Sequence, residues 1–120
     1  MRRSDFRLLV SQAISELPDF ILGKMDNVAI TIEDWPSPEQ LSGQDVSRYD
    51  LLGLYLGVPL TERHSNYNFV LPDRIMIYKK NIESRASSIA ELKQHVKETV
   101  IHEVAHHFGI SDAELERFGL

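Results

Sequence analysis

The sequence predicts one domain in which helices and short strands are mixed, and three observations carry that expectation. Apolar residues near the start recur with a helical period, three runs rich in β-forming residues follow, and a longer helical stripe lies near the end. With 120 residues the chain is long enough for a real core and short for more than one domain. Its 42% hydrophobic and 26% charged residues are ordinary for a soluble globular protein. No internal repeat or low-complexity segment interrupts it.

The first helix rests on Phe6, Leu9, Val10, Ala13, Ile14 and Leu17, spaced as one helical face, and is expected to begin near Ser4 or Asp5. Pro18 ends it or opens a short second helix through Leu22. Val28–Glu33 reads as a first strand, entered through residues 23 to 27. Residues 34 to 50 are polar and punctuated by Pro36, Pro38 and Gly43, which predicts a long surface loop anchored by Trp35. A second strand is expected in the apolar residues 51 to 58, where Gly53 and Gly57 permit a bulge or a close approach. Residues 60 to 71 form a polar connection to a third strand at residues 74 to 80. There Ile75, Ile77 and Lys79 face one way and Met76, Tyr78 and Lys80 the other. Lysines at its end suit the edge of a sheet. Ser88 and Glu91 form a capping box ahead of the long helix, whose core stripe is Ile89, Leu92, Val96, Val100 and Val104. Ser111 and Glu114 form another, for a short last helix whose Leu115 and Phe118 turn back on the core.

The long helix carries the chemistry. Its end, His102-Glu103-Val104-Ala105-His106-His107-Phe108-Gly109-Ile110-Ser111-Asp112, reads as HExxH extended to HExxHxxGxxD. Residues four apart share a helical face, so His102 and His106 can offer two imidazole nitrogens to one divalent cation. Glu103 sits one position round, where its carboxylate can reach a water activated by that cation without being a ligand. Gly109 is the residue type that takes a left-handed C-cap at least cost and lets the chain turn back. Asp112 follows the turn with an oxygen donor. Three protein ligands and one open position are the pattern of a catalytic zinc site.

A bare HExxH often occurs in surface helices where His and Glu are simply solvated, and it is the Gly and Asp beyond the second His that make metal binding the expectation. Asp112 has a second explanation, because an acid in the first turn of a Ser111-capped helix is favoured by the helix dipole. The two roles are compatible. With Zn²⁺ on His102, His106 and Asp112, the water pKa would fall toward ~7 and a carbonyl would be polarised. Glu103 would take the water proton and pass it to a leaving amine. An edge strand at residues 74 to 80 could hold an extended peptide by backbone pairing. His107, about 100° round the helix from His106, is expected behind the ligands or at the core boundary, and His95 in solvent. Arg63, His64, Tyr67 and Tyr78 are candidates for a donor to substrate or transition state, although polar loops often carry such residues without function.

Composition narrows the partners. The chain has no Cys, so disulfides and thiolate sites are excluded and a cytoplasmic location is expected. Arg2 and Arg3 are followed by Asp5, Arg7, Ser11, Gln12 and Glu16 rather than an apolar run, which predicts neither a secretory segment nor a membrane span. A net charge of -5 argues against a general nucleic-acid surface.

The run HEVAHHFGISD, together with Gly53-Leu54-Tyr55, Gly57-Val58-Pro59-Leu60-Thr61-Glu62-Arg63 and Leu71-Pro72-Asp73-Arg74-Ile75, resembles the small bacterial zincin-like metallopeptidases of minimal zincin fold. The resemblance spans about residues 5 to 118. It implies an α+β fold with a small mixed sheet packed on the active-site helix, Zn²⁺ at His102, His106 and Asp112, and Glu103 as base. The leading expectation is therefore a zinc-dependent peptidase acting on an unidentified peptide or protein. The alternative from another class is a metal-stabilised binding module that uses an edge strand or the 34 to 50 loop. An RNA-processing metallohydrolase is the third reading, with the acidic balance and Asp at position 112 against it. Eight residues follow Asp112 and none is Met, so a second copy or a partner chain is expected as a way to complete the cleft.

Overall fold

The helical period of Phe6, Leu9, Val10 and Ala13 is realised as helix α1, Arg3–Ser15, with those four side chains buried. The structure, a computed structural model, describes residues 1–58 and 71–120. Pro18 is the N-cap of helix α2, Asp19–Lys24, where its fixed φ and missing N–H cost nothing. Strand β1 occupies Val28–Glu33 as expected.

Residues 34 to 50 are more ordered than a loop. Pro38–Leu41 forms a short helix, α3, with Ser37 and Gln40 capping each other and Pro38 in the first turn. Trp35 packs within the segment itself, edge-on to Tyr49 at 6.4 Å and under the Arg48 guanidinium at 5.0 Å. Buried Asn81 fastens the segment by donating to the carbonyls of Arg48 and Leu51.

Strands β2, Gly53–Leu56, and β3, Asp73–Tyr78, complete a three-stranded sheet in the order β1-β3-β2. Strand β3 runs parallel to β1 and antiparallel to β2, so the sheet is mixed. This overturns the edge position expected for the 74 to 80 strand: β3 is central, and Ile75, Met76, Ile77 and Tyr78 are all buried, as both faces of a central strand require. The lysines taken as edge protection belong instead to helix α4, Lys79–Ser84. Lys79 is only 4% exposed, bonded to Glu83 at 3.0 Å with its ammonium 5.8 Å from the centre of the Phe6 ring.

Helix α5, Ile89–Phe108, crosses this framework. Its cap is half a box: Ser88 accepts from the Glu91 N–H, while the Glu91 carboxylate accepts from Ser87. Leu92, Val96, Val100 and Val104 enter the core with α1, Ile75 and Ile77, each contributing roughly 1.5–3 kcal/mol of burial. Ile89 does not. It is 66% exposed because it begins the helix, in a first turn that overhangs the core. Helix α6, Asp112–Arg117, buries Leu115, and Phe118 stacks on Phe20 at 4.1 Å rather than entering the core. Among the described residues no helix is long and apolar enough to cross a membrane.

Candidate active site

The site begins where α5 stops. Gly109 adopts the left-handed conformation, φ 68° and ψ 29°, and the Ile110 N–H donates back to the Ala105 carbonyl at 2.8 Å. Ser111 and Glu114 then cap α6 reciprocally, so Asp112 is released from capping in its first turn. The reversal brings α6 beside α5. His102 and Asp112 consequently line one cavity of about 290 Å³, with Leu115, Glu116 and Leu120. A second cavity of about 300 Å³ shares His102 and extends past Ile101, Glu98 and Lys97.

Helical geometry orders the remaining groups. At about 100° per residue, His106 lies about 40° from His102, and Glu103 about 60° beyond His106, on the side away from α6. That side faces β2. The Tyr55 N–H donates to Glu103 Oε1 at 2.9 Å. The antiparallel register pairs Leu54 with Met76, and the Tyr78 N–H donates to the Leu52 carbonyl, so the even-numbered residues of β2 make the ladder bonds and the Tyr55 N–H points outward. Glu103 is therefore held at an edge of the sheet.

Strand and helix lie in step along this contact. The α5-facing residues of β2 are Gly53, Tyr55 and, just past the strand, Gly57; their neighbours on α5 are Thr99, Glu103 and His107. Two residues of strand advance about 6.8 Å and four of helix about 6 Å, so the rows match over this length. A methyl group at Gly53 would come within 2.5 Å of Thr99 Cγ2 and 2.8 Å of the Met76 carbonyl oxygen, so only glycine permits the approach.

Burial pushes the Glu103 carboxyl above its ordinary value, against the opposing effects of the Tyr55 N–H and of His106 and His102. A partly dehydrated carboxylate of raised pKa is suited to accept a proton. His107 stacks on the Tyr55 ring at 3.8 Å and lies 3.9 Å from Asp73.

The donor set suits zinc in kind: two imidazoles four residues apart and a carboxylate returned by a glycine turn, with His102 and Asp112 already on one cavity wall. In placement it is open. Among the described residues no three His, Asp or Glu side chains converge as a set that could hold a metal ion. His102, His106 and Asp112 are all exposed, so their side chains are free to change rotamer.

Other expected residues fall elsewhere. Tyr78 projects from the opposite face of the sheet to Ile75 and Ile77 and is buried, its hydroxyl donating to Gln40 at 2.8 Å. Its pKa is pushed up to about 12 by burial, then by the charges of Glu103 and Glu33. This placement does not match the donor role considered for it. His95 contacts the Arg85 carbonyl at 3.1 Å, away from the site. Arg63, His64 and Tyr67, with most of the polar connection, lie outside the described residues. The sequence reading gave no role to Tyr55 or Asp73. Tyr55 acts through its backbone, which has no signature in sequence, and Asp73 matters only once β3 is known to sit beside β2.

Comparison with known families adds one finding. A family model described as zincin-like metallopeptidase matches residues 25–120, four-fifths of the chain. Among curated proteins no sequence matches it.

Proposed function

Because the chain belongs to the zincin-like metallopeptidase family, we propose that it is a zinc-dependent peptidase of the cytoplasm whose ligands are His102, His106 and Asp112 and whose general base is Glu103. The observation that carries this reading is the Glu103 carboxylate, fixed by the Tyr55 N–H at 2.9 Å one helical position from the histidine pair. A structural metal site has no use for such a group.

Bound at those three side chains, Zn²⁺ supplies Lewis acidity toward a carbonyl oxygen and toward water. The chain's own residues do the rest. Glu103 takes a proton from the attacking water and returns it to the departing amine, and its raised pKa favours the first of these transfers. Among the described residues β2, rather than residues 74 to 80, is the outer strand against α5, and its Tyr55 N–H is taken up by Glu103.

The binding-module reading has an observation of its own. A groove of about 650 Å³, lined by Trp35, Pro36, Pro38 and Arg48, opens on the α3 segment, away from the histidines. The decisive experiment is hydrolysis of a random peptide library by the zinc-loaded protein and by Glu103→Gln. The peptidase reading expects cleavage that falls by about a hundredfold or more in the variant, with zinc retained. Cleavage by neither protein, or by both equally, would sink it.

A further inference from the structure

Asp73 stands at the start of β3, where, among the described residues, its carboxylate meets groups from β2 and its end and from α5. Oδ2 accepts from the Tyr55 hydroxyl at 2.6 Å, Oδ1 accepts from the Val58 N–H at 2.9 Å, and His107 Nε2 lies 3.9 Å away. The Tyr55 ring is clamped between this bond and the His107 ring, which it overlies at 3.8 Å and 14°. Phe108 meets the same Tyr55 ring edge-on at 6.2 Å. The side chain of Tyr55 is thus pinned at its tip by a carboxylate and on one face by His107 of α5, and the backbone N–H of the same residue holds Glu103.

We propose that Asp73, Tyr55 and His107 are positioning residues for Glu103: they lock the edge of β2 onto α5 so that the Tyr55 N–H fixes the carboxylate beside the histidine pair. This rests on the reading of Glu103 as the base. A side-chain carboxylate on a helix has several rotamers, and a catalytic group must be held within about 0.5 Å of its working position. One backbone N–H can do that only if its own strand cannot slide. Strand β2 is four residues long and, among the described residues, pairs with β3 alone, so side-chain ties add to what holds it in place. Asp73 ties Tyr55 and Val58 to β3, while His107, one turn beyond Glu103 on the same helical row, ties Tyr55 to α5.

The test reads the Tyr55 amide directly, by residue-resolved hydrogen exchange on the zinc-loaded protein, with wild type beside Tyr55→Phe, Asp73→Ala and Asp73→Asn. Losing a bond to a charged acceptor should speed exchange by about tenfold or more at Tyr55 in Tyr55→Phe and Asp73→Ala. The Leu54 amide, in the ladder with Met76, should keep its wild-type rate. Asp73→Asn, which retains one carbonyl acceptor, should recover part of the protection. In the peptide-library assay Tyr55→Phe should lower kcat and leave KM and zinc affinity unchanged. Unchanged exchange at Tyr55 in Tyr55→Phe overturns the proposal. So does equal acceleration at Tyr55 and Leu54, which would mean that the strand had merely loosened. If Asp73→Ala fails to fold, Tyr55→Phe decides, because it removes one hydroxyl and keeps the stacked ring. Exchange needs no substrate, so a protein that shows this pattern and cleaves nothing contradicts the peptidase reading alone.

Discussion

The two working sides of α5 are built to different degrees. Toward β2, Glu103 is half-buried and bonded to the backbone of a strand packed in step with the helix. Toward α6, His102, His106 and Asp112 are exposed and, among the described residues, their side chains do not converge. The proposed base is placed by the fold, while the proposed ligands do not converge among the described residues. The difference follows from what each group gains by being held. A metal ion organises its own ligands, and its binding free energy offsets the rotamer entropy they lose. A general base has no such partner of its own, so packing must fix it in advance.

The largest effect on this contrast is expected at Gly53. Gly53→Ala forces a methyl group against Thr99 and the Met76 carbonyl, and should lower stability by about 1–3 kcal/mol in thermal denaturation and release the Tyr55 amide. Gly57→Ala is the control. Its methyl would meet His107 Cε1 at 3.5 Å, an ordinary contact, and its cost should stay within about 0.5 kcal/mol. Equal effects at the two glycines would break the claim that β2 and α5 are in close register at Gly53.

A second expectation concerns Glu103 in metal-free protein. Its folded pKa is raised, so the stability it contributes is complete below its ordinary value of 4.5 and is lost as pH rises through the folded value. Glu103→Gln removes that loss. The metal-free variant should melt above wild type at neutral pH, with the gap closing below about 4.5. A constant gap at all pH values would mean that Glu103 is not strained by burial.

The smallest effect should appear at Glu83, far from both sides of α5. Burial would raise its pKa, but bonds from Lys79 and the N-terminal ammonium outweigh this and lower it. Its stability contribution is therefore present above 4.5 and is lost as pH falls through the folded value. Glu83→Gln should flatten the acid limb of a stability profile and leave zinc affinity unchanged.

The parts legible in the sequence were those set by short-range rules. The period of Phe6, Leu9, Val10 and Ala13, the Ser111 box, the Gly109 turn and the HExxH spacing all act within a few residues of themselves, and each stands where it was expected. Ser37-Pro38-Glu39-Gln40 carried a local signal of the same kind, obscured by the prolines around it. What stayed hidden depends on pairing between distant segments. The lysines after β3 suggested an exposed edge, yet Lys79 is buried because α1 and α4 enclose it, which no local pattern announces. The central position of β3 and the step between β2 and α5 exist only in three dimensions. The candidate site divides along the same line: the spacing of its proposed ligands is a local pattern, and the hold on Glu103 is not.

The most direct test of the account is a calorimetric zinc titration of wild type, His106→Ala, Asp112→Ala and Glu103→Gln. The account predicts one zinc per chain in wild type and in Glu103→Gln, and affinity weaker by at least about a hundredfold in the other two, since even indirect partners of a ligand are worth about 10–100-fold. Zinc binding that survives both ligand substitutions, or that is lost in Glu103→Gln, would contradict it.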